Sequence, residues 1–76
     1  MKKIHSNLKN LVDQKGISIR QVARDIDYRF DSVRLLYNDE IKMYPRELLE
    51  KLCAYFDVGI EGLLRYEDEK EPEQEG

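Results

Sequence analysis

The sequence predicts an all-α fold: a compact domain of five short helices over residues 3–66, followed by a disordered acidic tail at 67–76. Three observations predict it. Apolar residues recur at spacings of three and four, the period of a helix face. No stretch alternates with period two for long enough to form a strand. Turn residues at Gly16, Asp27, Asn38-Asp39 and Asp57-Val58-Gly59 separate the apolar sets.

The elements follow in order. Ile4, Leu8, Leu11 and Val12 fall at i, i+4, i+7 and i+8, one face of a first helix. Gly16 ends it as a left-handed C-terminal residue, with Lys15 in the last turn. Ile17 points inward. Ser18 with Gln21 three residues on is a capping-box pattern that opens a second helix over 18–26. Val22, Ala23 and Ile26 are its apolar face. After Asp27-Tyr28-Arg29, a third helix spans 30–37, with Phe30, Val33, Leu36 and Tyr37 at helical spacing. A polar loop over 38–44 contains Ile41 and Met43. Pro45 suits the first position of a fourth helix. Leu48, Leu49, Leu52, Cys53 and Phe56 form its stripe. Ile60, Leu63 and Leu64 mark a short fifth helix ending near Tyr66.

Composition narrows the class. The 76 residues make one domain. A chain this short buries a modest share of its surface, so its stability margin is thin. The single cysteine, Cys53, allows no internal disulfide, and with the single His5 it makes no Cys/His zinc site. No apolar run is long enough for a membrane span or a secretory leader, so the chain is expected to be soluble and cytoplasmic. Cys53 lies in the helix-four stripe and is expected to be a buried, inert thiol. His5 lies near the N-terminus with no Asp or Ser pattern to pair with, and no catalytic role is expected of it. No nucleophile–base pair, metal cluster or phosphate-cradling glycine loop is present, so the expectation is no enzyme, no cofactor and no metal.

The charge is unevenly spread. The formal balance is 13 basic against 16 acidic residues, or −3. Residues 67–76 hold six of the acids (Glu67, Asp68, Glu69, Glu71, Glu73, Glu75) and one base, Lys70. The body over 1–66 therefore carries 12 bases and 10 acids, a mildly basic +2. The tail has no apolar residue with which to pack and is expected to be disordered.

Two short helices joined by about three residues match a helix-turn-helix unit. The chain here resembles the Cro/repressor-type helix-turn-helix domain of lambda-like phage repressors. The likeness runs from Leu8 to Leu64. It is carried by Gly16-Ile17-Ser18, Val22-Ala23, Val33 and Leu36 with Asn38, and Leu48…Leu52-Cys53-Ala54…Phe56-Asp57-Val58…Leu63-Leu64. The last run is similar to a subgroup common in phage and mobile-element regulators. The resemblance implies that Ala23 lets the third helix cross the second closely. It places Asp27 where the family has Gly, and Tyr28 where it has an aliphatic plug. Ile19 stands where the family often has a polar residue.

The resemblance also implies function: a sequence-specific DNA-binding regulator, a repressor on a palindromic operator, working as a homodimer on double-stranded DNA. The third helix would lie in the major groove. Base contacts are then expected from Phe30, Asp31, Ser32 and Arg34. Arg34 suits guanine O6/N7, Asp31 can accept from cytosine N4, and Phe30 can pack on a thymine methyl. Phosphate contacts are expected from Ser18, Arg20, Arg29, Asn38, Lys42 and Arg46. The candidate dimer surface is Tyr55, Ile60, Leu63 and Tyr66. Phe30, Asp31 and Leu35 are unusual on a phosphate-facing helix. They leave an alternative open, a protein-binding module on the same fold, such as an antirepressor or the partner of a larger regulator.

Overall fold

A computed structural model describes residues 2–68. The element order is β1 (Lys2–Ser6), α1 (Leu8–Lys15), α2 (Ile19–Ile26), α3 (Phe30–Tyr37), α4 (Arg46–Phe56), α5 (Ile60–Leu63) and β2 (Leu64–Asp68). The helices enclose one apolar core of Leu8, Val12, Val22, Ala23, Ile26, Val33, Leu36, Leu48, Leu52 and Leu63. α3 packs against both α1 and α2, α2 against α4, and α4 against α5. Ile17, Ile41 and Tyr44 fill in from the loops.

The five helices form as expected, but two strands accompany them. β1 and β2 pair antiparallel, with Ile4 opposite Tyr66 and Ser6 opposite Leu64. This corrects the all-α expectation at both ends. Ile4 belongs to β1 and is 52% exposed, so it is no part of a first helix face. Asn7 sets the real start of α1. Its backbone N–H donates to Leu63 O at 2.7 Å and its Nδ2 donates to Gly62 O at 2.9 Å. Leu8 N–H meanwhile donates to Ser6 Oγ at 3.1 Å. Those bonds tie the chain to α5 just before Leu8, and residues 2–6 run on as a strand. At the other end α5 stops at Leu63, and Tyr66 lies in β2 rather than at a helix end. The ordered chain passes the expected boundary at 66, because Glu67 and Asp68 belong to β2. The remainder of the expected tail, residues 69–76, lies outside the described residues. Pro45 caps α4 from an extended conformation (φ −63°, ψ 128°), one residue before the helix begins.

Left-handed residues end three of the five helices. Gly16 closes α1 at φ 70°, as expected, and Asp27 and Asp57 close α2 and α4 at φ 57° and 56°. A third left-handed aspartate, Asp39, follows α3 at φ 61°. A non-glycine residue there costs about 1–2 kcal/mol, and an acid at a helix C-terminus adds dipole repulsion. The three aspartates differ in what offsets that cost. Asp39 Oδ2 accepts from or pairs with His5 Nδ1 at 2.8 Å, and its Oδ1 accepts from Ser6 N–H at 2.8 Å. It clasps β1 to the end of α3. Asp27→Gly and Asp57→Gly are therefore expected to raise the thermal midpoint. Asp39→Gly, which keeps the turn but removes the clasp, is expected to lower it. Thermal denaturation of the three variants checks the signs.

Candidate nucleic-acid interface

The α2–turn–α3 unit is built locally. Ser18 is extended (φ −91°, ψ 156°), and its Oγ accepts from Gln21 N–H at 3.1 Å. This is the N-cap bond expected from the Ser18/Gln21 spacing, and it leaves the Ser18 hydroxyl hydrogen to donate outward. α2 buries Val22, Ala23 and Ile26. Ala23, 5% exposed, is the small residue of that face, and α2 packs against α3. The chain then turns on left-handed Asp27, and Tyr28 N–H donates to Ala23 O at 2.9 Å. Tyr28 packs against the core, in the plugging role expected of it.

α3 is anchored by Val33 and Leu36, both fully buried. By helical period Asp31, Leu35 and Asn38 lie on the opposite side, with Ser32 and Arg34 on the two flanks. Asp31 and Asn38 are exposed, while Ser32, Arg34 and Leu35 are partly buried. The α3 C-terminal carbonyls are used within the chain: Asn38 N–H donates to Arg34 O and Glu40 N–H to Leu35 O.

Phe30, expected among the outward positions, is partly buried. Its ring packs against the core edge, and the Arg20 guanidinium lies over it at 4.4 Å from the ring centre. The aromatic face attracts the cation and holds a charge of α2 beside the start of α3. Ile19, another apolar departure, also packs against the core, whereas Leu35 is not among the residues packed on it. Phe30→Ala is expected to release Arg20 and weaken DNA binding by a similar factor on all sequences, without changing base preference. Competition titrations against matched and mismatched duplexes check this.

The remaining phosphate candidates lie at the start of α3 and in the segment after it. Arg29 is exposed at the α3 N-cap. Lys42 is exposed in the following loop, beside Met43 at 80% exposure, and Arg46 opens α4. The unit is held from behind by α4 and α1. Lys51 Nζ donates to Ile26 O at 2.9 Å, satisfying a carbonyl at the C-terminus of α2. Tyr55 OH donates to Asp25 Oδ2 at 2.6 Å, and that bond raises the tyrosine's pKa above its ordinary range. Tyr37 OH donates to Asp13 Oδ1 at 3.2 Å and accepts from Lys9 Nζ at 3.4 Å, linking α3 to α1.

The expected dimer surface is dispersed. Leu63 is fully buried in the core and presents nothing outside, which corrects its assignment. Tyr55 is partly buried and engaged with Asp25. Ile60 and Tyr66 remain exposed at 51% and 69%, the first on α5 and the second on β2. Cys53 is partly rather than fully buried, at the rim of an apolar groove with Tyr44, Leu49 and Ile60. Burial first, and then the nearby Glu61 carboxylate, push its thiol pKa up, the direction of low reactivity.

Some working residues gave no signal in the sequence. Asn7, the Asp39–His5 clasp and the Arg20–Phe30 stack all depend on pairing across turns or across the whole chain. Among the described residues no group of three or more His, Cys, Asp or Glu side chains gathers as a metal site, and no helix is long and apolar enough to cross a membrane. No curated protein matches the chain. Residues 7–69 match the model of the Cro/C1-type HTH DNA-binding domain, which spans both the α2–turn–α3 unit and its supporting helices, and the chain belongs to that DNA-binding family.

Proposed function

We propose that this protein is a sequence-specific transcription regulator, a cytoplasmic repressor that binds a palindromic operator as a homodimer. The observation that supports it best is the outer side of α3. There Asp31, Ser32 and Arg34 flank or face away from the buried Val33–Leu36 anchor, with Arg20 held beside them. In this reading α3 enters the major groove. Arg34 reads guanine, Ser32 bonds to a base edge, and Asp31 accepts from cytosine. Ser18, Arg20, Arg29, Asn38, Lys42 and Arg46 hold phosphates and fix the register. Two-fold pairing sets two copies of α3 about 34 Å apart. The protein-binding alternative rests on Phe30, Leu35, Asp31 and the acidic tail, and the packing of Phe30 against the core edge weakens the first of these.

Selection from a random duplex library, followed by titration at two salt concentrations, tests the proposal. The expected product is a palindromic consensus. A dimer making about six to ten phosphate contacts should lose about 10³- to 10⁵-fold in affinity between about 50 and 200 mM salt. Absence of enrichment at low salt would rule the DNA reading out and favour the protein-binding one.

A further inference from the structure

From the β1–β2 ribbon we infer that this chain pairs with a second copy of itself through the outer edge of β2, making a four-stranded sheet, β1-β2-β2-β1. Neither strand of the ribbon holds a fully buried residue. Among the described residues each strand has only the other as a ladder partner, so each has one edge that no strand covers, and on β1 the Ser6 N–H is already taken by Asp39. A two-stranded ribbon is marginal in water without further packing. This one also exposes an apolar cross-strand pair, Ile4 at 52% and Tyr66 at 69%.

Charge selects the edge and the register. Directly opposed side chains in an antiparallel pair share a face, so a two-fold axis must pass beside a residue rather than between two. Centred on Arg65 or on Glu67, the two copies of β2 would set like charges directly opposite each other, which is destabilising. Centred on Tyr66, they set Arg65 of each copy opposite Glu67 of the other, and Tyr66 against Tyr66. The internal register, Ile4 opposite Tyr66 and Lys3 opposite Glu67, then extends both faces. One face becomes a row Ile4–Tyr66–Tyr66–Ile4. The other becomes Lys3–Glu67–Arg65–His5, alternating base and acid before its terminal histidine. The two Asp68 residues lie at opposite ends of the pair.

The other pairings fit less well. β1 against β1, centred on Ile4, sets Lys3 opposite His5 and gains no ion pair. β1 against a second β2 does not close, and it would build open-ended chains. Pairing through β2 closes after two copies. The Asp39 clasp ties β1 to the end of α3, so this sheet would also set the separation of the two recognition helices. The inference deepens the two-fold reading above, but it is tested without DNA, so the two can fail separately.

The experiment is sedimentation equilibrium and native mass spectrometry of the full chain, its Arg65→Glu and Glu67→Arg variants, and an equimolar mixture of the two. Wild type is expected to sediment at twice the 9.1 kDa chain mass. Each variant alone sets like charges opposite each other twice, and its dimer should be weaker by about tenfold or more. The mixture restores both opposite-charge contacts, so it should form a heterodimer of mixed mass. Helical circular dichroism checks that each variant is folded. The heterodimer is a further check, since an unfolded chain would not form one. A monomeric wild type, variants as dimeric as wild type, or a mixture that stays monomeric would each overturn the inference.

Discussion

Replacing Leu36 by alanine is expected to lower the melting temperature by about 10 °C or more and to abolish operator binding near body temperature. Leu36 is fully buried on α3, in a core that also takes Leu8 from α1, Val22 from α2 and Leu52 from α4. Truncating such a residue removes its transfer free energy and leaves a cavity, together about 2–5 kcal/mol. A domain of this size has a thin margin, and about 1 kcal/mol moves its midpoint by about 4–8 °C. The same substitution frees α3 from its anchor, so the loss of stability and the loss of binding arise from one residue. Leu35→Ala, one position along and outside the core cluster, is the control. It should change the midpoint little. Thermal unfolding followed by circular dichroism distinguishes the two.

Arg34→Ala is expected to cost about 1–3 kcal/mol of binding and to relax the preference at one base pair of each half-site. By helical period Arg34 falls on the flank of α3, partly buried, and its five fixed donors can address a guanine edge in a fork. Arg46→Ala, at the first turn of α4, should behave differently. It should weaken binding by a similar factor on every duplex and lower the salt slope by about one for each phosphate it no longer neutralises. Binding measured on a panel of single-base operator variants compares them. A uniform loss for Arg34→Ala would make it a phosphate contact, and the reading of guanine would then have to come from another residue.

The helical part of the fold was legible because it rests on local signals. Val22-Ala23, Val33 and Leu36 repeat at helical spacing, and Gly16, Ser18 and Asp27 mark ends that depend on their immediate neighbours. The ribbon was not legible. β1 holds one apolar residue, Ile4, which happens to sit four positions before Leu8 and so falls in phase with α1. In β2, Leu64 and Tyr66 do alternate with Arg65 and Glu67, but the run is five residues long and follows a helix whose phase it can be read to continue. Its partner lies about sixty positions away in the chain, a distance no local pattern spans. At the candidate interface the helix-turn-helix scaffold was legible, but the packing of Phe30 at the core edge under Arg20 was not. An aromatic residue at the start of a recognition helix looks like a base-contacting group. Only the position of Arg20 across the turn turns it into a platform for a cation.

The most direct test of the central claim, that the outer side of α3 is the DNA-reading surface, is an amide chemical-shift titration of the full chain with its selected operator duplex. The expected perturbations cluster at Ser18–Arg20 and Arg29–Leu35, with smaller ones at Lys42 and Arg46, while Ile60 and the α5 surface stay unchanged. Perturbations centred on α5 and the apolar groove beside Cys53, with α3 silent, would contradict it.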